Sequence, residues 1–120
     1  MKRIVTNPKR SSSLQYLCLK SKIPKHSSRV FSISKNDDMK QDVAVFSIAG
    51  NFYAISNVCA HQGGPLSEGI LEGNVVTCPW HGWKYDVRNG RSPHSGGDSV
   101  KSYKIRIIGN KLYVDLTPSS

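Results

Sequence analysis

The chain has 120 residues, 38% of them hydrophobic, with 17 Lys and Arg against 8 Asp and Glu and a formal net charge of +9. That length suits one small domain and is expected to leave no room for a second, catalytic one. Nine of the basic residues, and no acid, fall in residues 1–36, while the rest of the chain carries eight of each sign. The basic total therefore does not describe the folded part, and a nucleic-acid partner, which needs a basic patch on a folded face, is not expected.

Residues 1–13, with Lys2, Arg3, Lys9, Arg10, Pro8 and Ser11-Ser12-Ser13, hold little that can be buried and read as a basic, flexible N-terminal arm. An acid-free, serine-containing leader also suits organelle import, or docking to an acidic partner, and both stay open. The apolar run Leu14–Leu19 is short and broken by Gln15, so a secretory signal is not expected. No run reaches membrane-spanning length, and membrane insertion is not expected.

From Leu14 to the end, residues 14–120, short apolar runs alternate with Gly, Asn, Pro and Asp, the pattern of an all-β domain. Strands are expected at Tyr16–Lys20, Arg29–Ser34, Val43–Ala49 and Phe52–Ser56, the last two joined by a primed turn at Gly50-Asn51. Further strands are expected at Val75–Thr77 and Trp83–Asp86, followed by a turn at Asn89-Gly90. A second hairpin, Lys101–Ile108 and Lys111–Leu116 around Gly109-Asn110, closes the chain. Cys18, inside the first strand, reads as a small buried hydrophobe.

Between these strands lie Cys59-Ala-His61 and, after sixteen residues, Cys78-Pro-Trp-His81-Gly-Trp. Two short spacings, each offering one sulfur and one ring nitrogen, make a four-ligand metal site, and this donor set suits an iron-sulfur group or zinc. With two of the three cysteines committed, no intramolecular disulfide is expected, which fits a reducing, cytoplasmic compartment.

Gly63-Gly64-Pro65-Leu66 follows the first pair, Ser67-Glu68-Gly69 leads on, and Cys78-Pro79-Trp80-His81-Gly82-Trp83 forms the second loop. On these residues the chain, from about Val43 to Leu116, resembles the Rieske [2Fe-2S] proteins, and among them the ferredoxin components of ring-hydroxylating dioxygenases. The resemblance implies a Rieske-type antiparallel β-sandwich with a small cluster-binding subdomain at about residues 57–91. It also implies one [2Fe-2S] cluster per chain, with Cys59 and Cys78 on one iron and His61 and His81 on the other. Family oxygenases carry a separate mononuclear-iron domain with its own ligands. Here the only other histidines are His26 and His94, so an electron-transfer protein rather than an enzyme is expected.

The same resemblance marks residues around the cluster. Where one branch has a disulfide bridging the two loops, this chain has Gly64 and Trp80, and Trp83 stands where that branch has a Ser whose hydroxyl bonds a bridging sulfide. Both departures argue for the lower part of the family range of about −150 to +300 mV. Tyr85 works the other way, occupying a position whose hydroxyl can bond a ligand sulfur, and Pro93 lies in a third loop that covers the cluster in the family. The implied role is a one-electron carrier between a flavoprotein or other ferredoxin reductase and a terminal oxygenase or other redox acceptor. A Rieske-like small subunit of a nitrite reductase, and a zinc-binding structural module, are the alternatives.

Overall fold

The computed structural model describes residues 14–36, 39–59, 64–80, 82–93 and 99–116, and the basic arm lies outside them. Every element of regular structure among them is a strand or a single 3-10 turn. In chain order the strands are β1 (Leu14–Leu19), β2 (Ser27–Asn36), β3 (Met39–Ile48), β4 (Asn51–Ser56), β5 (Ile70–Glu72), β6 (Val75–Thr77), β7 (Lys84–Asp86), β8 (Ser102–Ile108) and β9 (Lys111–Asp115). β1-β9-β8-β4-β3-β2 form one sheet and β5-β6-β7 a second, and all pairings are antiparallel.

The large sheet is continuous only through two residue pairs, Ala54 with Tyr103 and Ile55 with Ser102, where β4 meets the start of β8. Its halves face each other. Cys18 of β1, Ile33 of β2, Val43 and Val45 of β3, Ala54 of β4, and Leu112 and Val114 of β9 share one buried core. The opposite face of β3 and β4 offers Ala44, Phe46 and Ile55 to a second core, which they share with Leu66, Val76, Tyr85 and Val87 around the small sheet.

Alternation along a strand sends neighbouring side chains to opposite faces. The unbroken run Val43-Ala44-Val45-Phe46 is therefore what a strand covered on both sides requires, and each of the four is at most 1% exposed. Complete burial of a side chain such as Phe46 contributes about 1.5–3 kcal/mol. The small sheet is thus anchored on the rigid centre of the large one.

The turn expected at Gly50-Asn51 forms one residue earlier. Ile48 pairs with Asn51, and the two central residues are Ala49 (φ 51°) and Gly50 (φ 85°). A type I′ turn needs positive φ at both positions and favours Gly at the second, so Asn51 is drawn into the strand. β2 and β3 run longer than their apolar cores suggest, because Met39 and the polar residues Lys40–Asp42 complete a backbone ladder ending at Asn36 and Met39. β5 was not expected as a strand. Only Ile70, Leu71 and Glu72 form it, paired with β6 across Gly73-Asn74.

Among the described residues no helix is long and apolar enough to cross a membrane.

Candidate metal centre

The first cysteine loop leaves the end of β4, where the Asn57 N–H donates to the Asp42 carbonyl. Asn57 then closes the far side of the loop. Its carbonyl accepts from Leu66 N–H at 2.7 Å, and its Oδ1 accepts from Ser67 N–H at 2.6 Å. Val58 bridges Pro65, and the Cys59 N–H donates to the Gly64 carbonyl at 2.9 Å. The neck of this loop is a miniature antiparallel ladder.

The second loop spans β6 and β7 and closes by the same rule. Cys78 N–H donates to the Trp83 carbonyl at 2.6 Å, and Gly82 N–H donates back to the Cys78 carbonyl at 3.1 Å. In both loops, then, the cysteine amide bonds the carbonyl five residues on. Gly82 has φ 80°, the left-handed conformation that costs glycine least.

The two necks meet. A Cβ built on Gly64 would lie 2.8 Å from Cys78 Sγ and 2.9 Å from Trp80 Cγ, so only a residue without a side chain allows the second loop so close to the first. Gly69 serves the next contact, since a Cβ there would run into the Thr77 carbonyl of β6. Cys59 and Cys78 are each 2% exposed and share the second core with Leu66, Val76, Tyr85 and Val87. Tyr85, fully buried on β7, places its hydroxyl 3.3 Å from Cys59 Sγ. The position on the far side of Gly64 belongs to Trp80, which is 57% exposed, while Trp83 is half-buried against the second core.

The sequence-derived site residues thus fall into two groups. Cys59, Gly64, Cys78, Trp80 and Tyr85 come together in one place, with Trp83 packed on the same core. His61 and His81 lie outside the described residues. Pro93 is exposed, and residues 94–98, His94 among them, also lie outside the described residues. The donor chemistry fits a thiolate-bound iron-sulfur group. Two soft sulfurs converge in an apolar, water-poor setting, and glycine leaves room against one of them.

Four contributors carried no sequence signal of their own. Asn57 is 8% exposed and closes the first loop through both its backbone and its side chain. His26 Nε2–H donates to the Leu71 carbonyl at 3.0 Å, and Ser28 Oγ donates to the Ser67 carbonyl at 2.8 Å, tying the β1–β2 connection and β2 to the small sheet and its leading turn. Lys84 Nζ donates to Thr77 Oγ1 at 2.9 Å across the neck of the second loop. Cys18 is buried away from these loops. Burial pushes its thiol pKa up, with Arg29 and Lys22 pulling it back, which suits an inert core cysteine.

A family model described as Rieske [2Fe-2S] domain matches residues 13–104. The ferredoxin component of the naphthalene 1,2-dioxygenase system of Pseudomonas aeruginosa is 32% identical over 78 residues, covering 64% of this chain and 75% of that protein. The 3-phenylpropionate/cinnamic acid dioxygenase ferredoxin subunit of Shigella flexneri is 31% identical over 83 residues, 66% of this chain and 76% of that protein. Among solved structures, the ferredoxin of carbazole 1,9a-dioxygenase from Nocardioides aromaticivorans superposes with a TM-score of 0.78 at 21% identity, over 88% of this chain and 99% of its own. The terminal oxygenase of the same system gives 0.77 at 22% identity, over 91% of this chain and 31% of its own. The fold is therefore shared by carriers and by one part of the enzymes they serve.

Proposed function

The chain belongs to the Rieske [2Fe-2S] family, and from that premise we propose that it is a one-electron carrier, taking electrons from a reductase and passing them to a ring-hydroxylating oxygenase. The relatives of matching length are ferredoxin components of dioxygenase systems. Cys59 and Cys78 would hold one iron, and His61 and His81 the other. When bound, the cluster supplies a couple that gains and loses one electron.

The observation that carries this reading is the meeting of the two loops at Gly64, with Cys78 Sγ against the first loop and the Tyr85 hydroxyl at Cys59 Sγ. With Cys59 as thiolate, the Tyr85 hydroxyl donates to it and stabilises negative charge on the sulfur. Leu66, Val76 and Val87 exclude water from the buried side, and Trp80 lies against Gly64 on the exposed side. The necks fix the backbones of Cys59 and Cys78, so little reorganisation at the two sulfurs would accompany transfer.

Gly64 and Trp80 replace a disulfide, and Trp83 offers no hydroxyl, which favours a low potential within the family. Residues 57–91 act as the cluster-binding subdomain on the domain of residues 14–120. A cytoplasmic location suits a carrier whose ligands are cysteine thiolates. Coulometric titration of the purified protein tests the reading. Uptake and return of one electron per chain, with two irons and two sulfides per chain, is the expected result, and a chain that takes up no electron contradicts it.

A further inference from the structure

β6 and β7 flank the second cysteine loop, and the facing pair nearest that loop is Thr77 and Lys84. Val76 and Tyr85 point into the buried core, so alternation turns Thr77 and Lys84 to the opposite face of the small sheet. There the Lys84 ammonium donates to Thr77 Oγ1 at 2.9 Å, with both residues half-buried. Thr77 is bonded directly to Cys78. Lys84 follows Trp83, whose carbonyl takes the Cys78 N–H. The bond therefore fixes a cation at the neck of the loop instead of leaving it on a freely moving stem.

Among the described residues no carboxylate pairs with that charge. Asp86 is the next residue on the same face of β7, but its carboxylate is taken up by Arg88. Nε donates to Oδ1 at 3.0 Å, Nη2 to Oδ2 at 2.8 Å, and the Arg88 N–H also to Oδ1. These bonds hold the Asp86 carboxyl below its usual range. Glu72, on the far strand β5, is exposed to solvent. Among the described residues the ion pairs are Arg88–Asp86 and Arg106–Asp115, and neither involves Lys84.

We infer that Lys84, fixed by Thr77, raises the reduction potential of this site by stabilising the negative charge that each incoming electron adds. The inference rests on the proposed carrier function. It makes Lys84 a residue that acts on the reacting centre through its field, without touching it. Half-burial screens the charge less than full exposure would, so the effect survives in dilute buffer and shrinks as salt rises.

The test is the midpoint potential of the full-length, cluster-loaded protein at low ionic strength, measured by spectroelectrochemical titration. Lys84→Met is expected to lower the equilibrium constant for reduction about threefold, ~28 mV at 59 mV per decade for one electron. Lys84→Arg should keep the wild-type value. Thr77→Val retains the cation but releases it to solvent, and should shift the midpoint in the same direction by less. A wild-type midpoint in Lys84→Met, with the visible spectrum intact, overturns the inference and leaves the carrier function standing. A wild-type chain purified without any [2Fe-2S] spectrum overturns both.

Discussion

Replacing Tyr85 with Phe removes one hydroxyl and keeps the ring that fills the core. Tyr85 is fully buried, Cys59 is 2% exposed, and the oxygen and sulfur are 3.3 Å apart, so no water can replace the lost donor without rearrangement. A hydrogen bond to a charged group is worth about 1.5–3 kcal/mol net. Only the part that strengthens on reduction moves the potential. If about 1 kcal/mol of that worth appears when the sulfur gains charge, the reduction equilibrium falls about fivefold, or ~40 mV for one electron. A redox titration followed by visible absorption at fixed pH should find Tyr85→Phe lower by that amount, with cluster content unchanged. A midpoint that moves by less than about 10 mV would show that the hydroxyl serves both oxidation states equally, which refutes the reasoning.

Gly64→Ala brings a Cβ to 2.8 Å from Cys78 Sγ and 2.9 Å from Trp80 Cγ. The exposed indole can swing away but a ligating sulfur cannot, so iron content should fall in Gly64→Ala and should not recover in a Gly64→Ala, Trp80→Ala double variant. Asp86→Asn tests the Arg88 contact by pH. The Asp86 pKa lies below the usual 3.8 in the folded chain, chiefly through its bond from Arg88. Its contribution is therefore present above the unfolded value and is lost as pH falls through the folded one. The deficit in melting temperature of Asp86→Asn should be greatest near neutrality, shrink as pH falls through the lowered folded value, and stay small because Arg88 is solvent-exposed. Deleting residues 1–13 should raise the apparent KM of a reductase or oxygenase for the carrier at low salt only, and an unaltered KM would dismiss a docking role for the arm.

Much of the β architecture is legible in local pattern. Val75–Thr77 is expected and found as β6, and Gly109-Asn110 turns the last hairpin, with Ile108 paired to Lys111. Local pattern fails where pairing decides. Ile70-Leu71-Glu72 is too short to show a period, and becomes a strand only because β6 lies beside it. Lys40–Asp42 is polar, and is part of a strand because β2 supplies its ladder.

The same division runs through the site. Cysteine and histidine spacing names the donors, because metal chemistry restricts which residue types can serve. What brings the loops together is long-range. The absence of a Cβ at Gly64 matters only because Cys78 Sγ and Trp80 arrive there, and the Tyr85 hydroxyl reaches a sulfur 26 residues away. The Thr77–Lys84 bond depends on strand register, and the His26 contact to Leu71 on packing between two sheets, neither of which a linear pattern contains.

The central claim, that Cys59, His61, Cys78 and His81 hold a Rieske cluster used for one-electron transfer, is tested most directly by an anaerobic absorption spectrum and low-temperature electron paramagnetic resonance after dithionite reduction. A red-brown protein should give the rhombic signal of a mixed-ligand [2Fe-2S] centre, and should lose both colour and signal in Cys59→Ser and Cys78→Ser. A colourless protein with stoichiometric zinc and no signal would contradict it.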